Sequence, residues 1–253
     1  MAKRSGLGGA LYLNGLDLSG DVGSIDQAAA SRTLLSVPGI DKSANELIAG
    51  LATGALDFTG YFNDATDQLH LTARALGAAA AIQNITYAVA TTIGDPAFML
   101  RARQVDYAPS RSADGALTIP VTAVGVDGVI PEWGKMLTTG LVTQGSAAAL
   151  ASLDNAASSA SGLAAMLHVA SITGGGSTLT VTIQESSDDG SGDAWTTKLA
   201  MAGVAQASAA TSERATATGT VERYTRIITT GGWTQAKFAL AMRRGTADDI
   251  DAY

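Results

Sequence analysis

Alternation of apolar and polar side chains, the mark of a half-buried strand, runs through most of this chain. It is clearest in two stretches. Leu56, Phe58, Gly60 and Phe62 fall on one side of a strand whose other side carries Asp57, Thr59 and Tyr61. Far downstream, Leu179, Val181 and Ile183 interleave with Thr178, Thr180, Thr182 and Gln184. The first stretch lies in a longer segment, residues 47–63, whose strand from Leu56 is entered through Thr53-Gly54 as a turn and left through Asn63-Asp64 as a helix start.

Around this segment the pattern predicts the remaining elements. Upstream, residues 10–37 read as two short strands, Ala10 to Asn14 and Arg32 to Val37, and residues 38–50 as a loop. Downstream, Ala65, Leu69, Ala73 and Leu76 recur at helical spacing, with Asp67 in the first turn and Gly77 as the stop. Strands follow over 82–91, 97–107, 117–126 and 133–139, divided by Gly94-Asp95-Pro96, the polar loop Pro109 to Gly115, and Asp127-Gly128. Pro120 has no N–H to donate and marks an edge or a bulge. Arg101, Arg103 and Asp106 suit either a subunit interface or a solvated strand face.

Residues 140–162 turn small and polar, as a linker with one weak strand around Leu150 to Leu153. Further strands are expected at 163–172, 178–184, 195–201, 212–219, 222–229 and 235–243, before a frayed tail from Thr246 to Tyr253. The pattern therefore divides the chain into residues 1–143 and 144–253. Both are mainly β, and the second has the strand spacing of a jelly-roll or immunoglobulin-like β-sandwich.

Composition narrows the chemistry. Among 253 residues there are 29 glycines, 5% aromatics and no cysteine, a turn-rich β composition that rules out disulfides and cysteine-based zinc or redox centres. The basic start, Met1 to Arg4, has no apolar run behind it, and Ala75 to Ile82 falls far short of the roughly 20 residues of a membrane helix. No signal peptide and no membrane contact are expected. The net charge of -7 is spread evenly, with 9 basic and 13 acidic residues up to position 145 and 7 and 10 beyond it. No basic block is present to neutralise phosphates. An acidic wall past which DNA slides would carry such charge, as would any mildly acidic soluble protein.

Candidate chemical sites are sparse. Asp188-Asp189-Gly190-Ser191-Gly192-Asp193 offers oxygen ligands without EF-hand spacing. Ser5 to Gly9 lacks the lysine of a phosphate-binding loop, and no G-x-S-x-G elbow occurs. His70 and His168 lie in separate modules, and Asp64 with Asp67 is better read as helix-start charge than as a glycosidase pair. No catalytic residue, metal site or cofactor is assigned, and no enzymatic activity is expected. Trp195 and Trp233 fit either a sugar platform or buried sandwich tryptophans.

Three phrases, taken in order, carry a resemblance. Leu13 to Asp21 reads as an opening hairpin; Ile48-Ala49-Gly50-Leu51 leads into Gly54, Gly60 and Phe62 with the pattern I-x-G-L-x-x-G-x-x-x-x-x-G-x-F; and Pro131-Glu132-Trp133-Gly134 closes the first module. Over roughly residues 7–140 the chain resembles the tail tube proteins of long-tailed, siphovirus-like bacteriophages. The resemblance implies a tail-tube-type antiparallel β-sandwich or barrel with one α-helix, whose sheets join those of neighbours into a closed ring. It implies a structural virion protein that stacks as homo-hexameric rings into a tube conducting DNA into the host. Pro38, Gly39, Ile40, Asp41, Lys42 and Glu46 would form the ring-stacking loop. Implied partners are further copies of itself, the tape measure protein, the tail terminator, baseplate proteins, and viral DNA passing without specific binding. Assembly would occur in the host cytoplasm and the product reside in the virion tail, with residues 144–253 decorating its outside. The alternative is a capsid or tail accessory protein whose C-terminal domain binds cell-surface carbohydrate through Trp195 and Trp233.

Overall fold

The computed structural model describes residues 7–79, 81–175 and 178–245. The chain begins with β1 (Ala10–Leu13), β2 (Leu16–Asp17), β3 (Val22–Ser36) and β4 (Leu47–Tyr61), then α1 (Leu69–Ala79). Next come β5 (Gln83–Ala88), β6 (Pro96–Tyr107), β7 (Ser110–Arg111), β8 (Leu117–Gly125), β9 (Glu132–Met136) and β10 (Val142–Gln144). The remainder is β11 (Leu153–Asp154), β12 (Leu163–Thr173), β13 (Thr178–Ser186), β14 (Thr196–Ala200), β15 (Val204–Ala205), β16 (Thr211–Ala217), β17 (Tyr224–Thr230) and β18 (Gln235–Arg244). The fold is mainly β, its strands pair antiparallel, and α1 is the α-helix of the described residues.

Two compact units interleave along the chain: residues 1–20, 83–99 and 133–253 in one, residues 21–82 and 100–132 in the other. The sequence pattern divides the chain at residue 143 instead, within β10, which pairs with β18. Alternation reports that a segment is a strand and says nothing of which unit it joins, so β1 and β5 cannot be assigned by it.

In the first unit a five-stranded sheet, β11-β17-β13-β14 with β15 on β13, covers one face of β12 and β18. Leu167 and Val169 meet Leu179, Val181 and Ile183 in a core completed by Ile227, Phe238 and Leu240. Burial of each such side chain contributes about 1.5–3 kcal/mol. The alternation expected over 178–184 is observed in β13. β12 differs, because every residue from Leu163 to Val169 is buried. Its second face packs Met166 with Tyr12, Met99, Met136, Ala239 and Ala241. A strand covered on both sides has no polar face to alternate with.

The second unit runs β3-β4-β8-β6, with β7 on β8. Leu56, Phe58, Ile119, Val121 and Ala123 are buried along one face, as are Leu69 and Ala73 of α1. A Cβ on Gly60 would overlap Leu69 and the carbonyl of Asp21, so only glycine admits the helix at that point. The helix begins at Leu69, later than the spacing predicts, and Gly77 lies inside it. Residues 63–68 turn instead: the Ala65 N–H donates to Asn63 Oδ1 (3.2 Å) and Asp67 adopts φ 63°. The helix is capped from outside itself, because Asp21 Oδ2 accepts the Leu69 N–H (2.9 Å) while its Oδ1 accepts from Asn63 Nδ2 (2.8 Å).

Two other expectations fail for a physical reason. The polar stretch before Arg32 is not a connection, since β3 is a single strand of 15 residues. Irregularities between Val22 and Ser24, Ile25 and Gln27, and Arg32 and Leu34 shift its register and erase the alternation. Thr53-Gly54 is not a turn either. Gly54 lies within β4, where a Cβ would stand 2.7 Å from Pro131 and 2.8 Å from Leu100. Pro120 behaves as expected: β6 stops pairing at Val121 and β7 starts at Thr118, which leaves position 120 a local edge.

Asn14 (φ 49°) and Gly15 (φ 93°) form the turn of the β1–β2 hairpin, and a Cβ at Gly15 would overlap backbone atoms of Thr211 and Val169. Gly15→Ala should therefore lower the melting temperature well beyond the effect of about 1 kcal/mol of an ordinary glycine replacement. Gly20→Ala, where nothing lies within 4 Å of the added atom, should leave it nearly unchanged; calorimetry of the two variants checks the contrast.

Candidate assembly surface

β3 and β4 form a hairpin far longer than the sheet that supports it. Pairing of β4 with β8 ends at Ala55↔Val124, whereas its pairing with β3 continues through Leu34↔Ala49 and Leu35↔Ile48 to Ser36↔Leu47. The Val37 N–H donates to the Glu46 carbonyl (2.8 Å) and the Lys42 N–H to that of Gly39 (3.0 Å), closing the tip. Pro38, Gly39, Ile40, Asp41, Lys42 and Glu46 are thus gathered there, all exposed.

Beyond Ala55 the ribbon has two strands and, among the described residues, no third. Partnered residues share a face and neighbours alternate, so Leu34, Leu47 and Leu51 lie on one face and Leu35 and Ile48 on the other. Leu34 is 65% exposed, Leu51 75% and Ile48 49%. Val37 and Ile40 extend the apolar surface to the tip. A contiguous exposed patch of this kind marks an interaction surface, whereas isolated exposed leucines do not. β3 also pairs with β4 alone among the described strands, so its outer edge presents free backbone donors and acceptors. The sequence reading missed the length of this arm. The signal was Leu34-Leu35 and Leu47-Ile48 standing symmetrically about a polar loop.

The other predicted residues are not brought together. Trp233 is 5% exposed and belongs to the core of the first unit. Trp195 is half-buried, with the Arg226 guanidinium 4.2 Å over its ring and Gly190 against the indole. In the loop 188–193, Asp188 accepts the N–H groups of Ser191, Gly192 and Asp193, and Asp193 Oδ2 accepts that of Ser187, so these carboxylates close the turn. Arg101 pairs with Asp127 at 2.9 Å while Arg103 is exposed. His70 is hydrogen-bonded to the Tyr107 hydroxyl (2.5 Å) and stacks near Phe62.

His168, at the centre of β12, is a structural group. The Gly15 N–H donates to its Nδ1 (3.2 Å), so Nε2 carries the proton and donates to Thr86 Oγ1 (2.9 Å). Asn14 Oδ1 accepts the Asn84 N–H, and Asn84 Nδ2 donates to Ser212 Oγ, which ties the β1–β2 turn to β5 and β16. Burial pushes the imidazole down to about 3.

A histidine kept neutral in the folded state costs stability on acidification, because the unfolded chain takes up a proton first. The loss begins near the unfolded value of about 6.5 and continues down to the folded value, at about 1.4 kcal/mol per pH unit. Denaturant titrations from pH 7 to 4 should show this slope, and the His168 ring resonances should not titrate above pH 4; protonation near pH 6 would contradict the assignment.

No family model matches the chain, and no curated protein matches it. Among solved structures, the virion of a native gene transfer agent particle aligns at 10% identity and TM-score 0.43, covering 52% of this chain and 98% of that one. The Dit protein of phage SPP1, described as a hub of the adsorption apparatus in phages infecting Gram-positive bacteria, aligns at 12% identity and TM-score 0.37 over 93% and 98%. A chain of the phage p2 baseplate in its activated conformation aligns at 7% identity and TM-score 0.33 over 94% and 98%.

Proposed function

We propose that this chain is a structural virion protein that polymerises into the tail tube of a long-tailed phage, as stacked rings of six. The observation that carries this reading is the distal β3–β4 hairpin, which exposes large apolar side chains on both faces beside an open edge. A free monomer gains nothing from such an element. In a ring, β3 of one copy adds to a sheet of the next, and closure satisfies every edge. The tip, Pro38 to Glu46, reaches the adjacent ring. Each contact is weak, and repetition along the tube makes the sum stable.

The face of the second unit's sheet opposite Phe58 and Val121 carries Asp57, Thr59, Thr118 and Thr122, with Asp106 across from Thr122, Asp26 accepting from the Thr59 hydroxyl, and Arg103 across from Val124, so carboxylates outnumber the cation there. Such a face suits a wall along which DNA slides without sticking. The module over residues 144–253 would decorate the outside. The tape measure protein, the tail terminator and baseplate proteins would bind the tube's bore and ends, and DNA ejection into the host would be its purpose. No chemistry is asked of the two histidines, one buried and neutral, the other held by Tyr107.

Replacing Leu34, Ile48 and Leu51 together by serine removes apolar surface that the isolated subunit leaves in water. The variant's melting temperature should stay close to the parent's, because exposed substitutions shift stability by only about 0.5 kcal/mol each. Tubes or rings seen by negative-stain electron microscopy of the concentrated parent should vanish in the variant. Tubes of normal length from the variant would overturn the role given to the hairpin.

A further inference from the structure

Where the chain crosses between the two sheets of the first unit it leaves a cavity. β15 is held to β13 through Thr178↔Ala205 and Leu179↔Val204, and a single 3-10 turn, Gln206–Ser208, then carries the chain over to β16, which pairs with β12. Gly203 permits this course, because a Cβ there would stand 2.5 Å from Thr178 Cγ2. Beneath the crossing lies a space of about 320 Å³. Its lining includes the buried side chains of Leu167, Val169 and Val204 and the small exposed residues Ala202, Ala205 and Ser208. Small-molecule sites begin at about this size.

One wall of the cavity is charged. The register Leu167↔Glu213 and Val169↔Thr211 puts Glu213 and Thr211 on the face that carries the core leucine and valine. Glu213 is half-buried there, and its Oε2 accepts the Ala202 N–H (2.8 Å). That bond ties the crossing to β16 and fixes the carboxylate at the cavity. An ionised carboxylate can accept about four hydrogen bonds, so one N–H leaves most of its capacity for an occupant.

Among the described residues no cation pairs with Glu213. Lys198, on the adjacent β14, is committed to the Thr220 carbonyl and to Glu185 (3.9 Å). Arg214 falls on the opposite face of β16, beside Met166. Other carboxylates of the unit are placed differently: Asp154 pairs with Arg223 at 2.6 Å, Asp188 closes its own loop, and the acidic tail expected from Thr246 lies outside the described residues. A half-buried carboxylate against apolar surface is costly unless a cation joins it. The cavity's remaining polar side chains are hydroxyls. That of Ser212 accepts from Asn84 Nδ2 and donates to Asn14 Oδ1, while those of Thr211 and Ser208 add two acceptors.

We propose that this cavity binds a small aliphatic amine. The ammonium group donates to Glu213 and to the hydroxyls of Thr211 and Ser208, three acceptors for three N–H donors, and the alkyl body lies on Leu167, Val169 and Val204. The volume suits a whole small molecule better than the tip of a side chain from another protein. The proposal concerns a single subunit and is independent of the tail-tube reading.

The test is saturation-transfer NMR on the full chain at micromolar concentration, where light scattering reports monomer, with hexylammonium, hexanol and hexanoate as probes. Hexylammonium should bind, hexanol roughly tenfold more weakly, and hexanoate not measurably. Glu213→Gln keeps an oxygen for the Ala202 N–H and should level hexylammonium with hexanol. Ala205→Phe, at an exposed position of the lining, should abolish the binding of both. No binding of hexylammonium, equal binding of hexylammonium and hexanol to the parent, or hexylammonium binding unchanged in either variant would overturn the proposal. Nα-acetyl-lysine amide binding as tightly as hexylammonium would assign the site to a lysine of another protein and overturn the free amine as its occupant.

Discussion

A two-stranded ribbon can hide neither of its faces, and this constraint governs the β3–β4 hairpin. Two strands alone are marginal in water, and three or more with a covered apolar face are needed for independent stability. The proximal half meets that requirement through β8 and β6, with Leu56 and Phe58 buried. The distal half does not, since Leu34, Leu35, Leu47, Ile48 and Leu51 face solvent on both sides. Something must complete it. A further copy of the same chain is the most economical partner, because one surface then serves at every contact of a repeating assembly.

The base of the arm is fixed by contacts that tolerate little change. Asp21 bonds both the first N–H of α1 and the side chain of Asn63, pinning the helix to the strand ends. Gly60 lets Leu69 reach the sheet, and Gly54 lets Pro131 and Leu100 close over β4. These are close approaches of the kind that specify one structure, in contrast to the exposed tip, where composition is constrained only by what docks there. In the first unit the neutral His168 plays the comparable part. Its two ring nitrogens are both satisfied, and its burial makes it a fixed strut that acid would break.

Much of this was legible in the sequence and some was not, for definable reasons. β13 and β8 alternate because one face of each is buried, so their strands and core residues could be read directly. β12 hid His168 in an unbroken buried run, where no alternation marks a special position. The three register shifts of β3 disguised a 15-residue strand as a polar connection, and Gly54 gave the signal of a turn while serving a close approach. The cap on α1 comes from Asp21, 48 residues before Leu69, beyond the reach of any local rule. Pro38 to Glu46 lie exposed at the tip of the hairpin, and their part in ring stacking belongs to the proposal. The sugar platform suggested by Trp195 and Trp233 has no common surface, because one indole is core and the other lies under Arg226.

The central claim is that a second copy completes the distal hairpin. Amide hydrogen exchange, followed by mass spectrometry across residues 30–52, addresses it most directly when dilute monomer is compared with concentrated, assembled protein. Exchange there should be fast in the monomer and slow by orders of magnitude on assembly, while the β12–β18 core stays protected in both. Equal exchange in the two samples, with assembly demonstrated by microscopy, would show that the hairpin is no part of the contact.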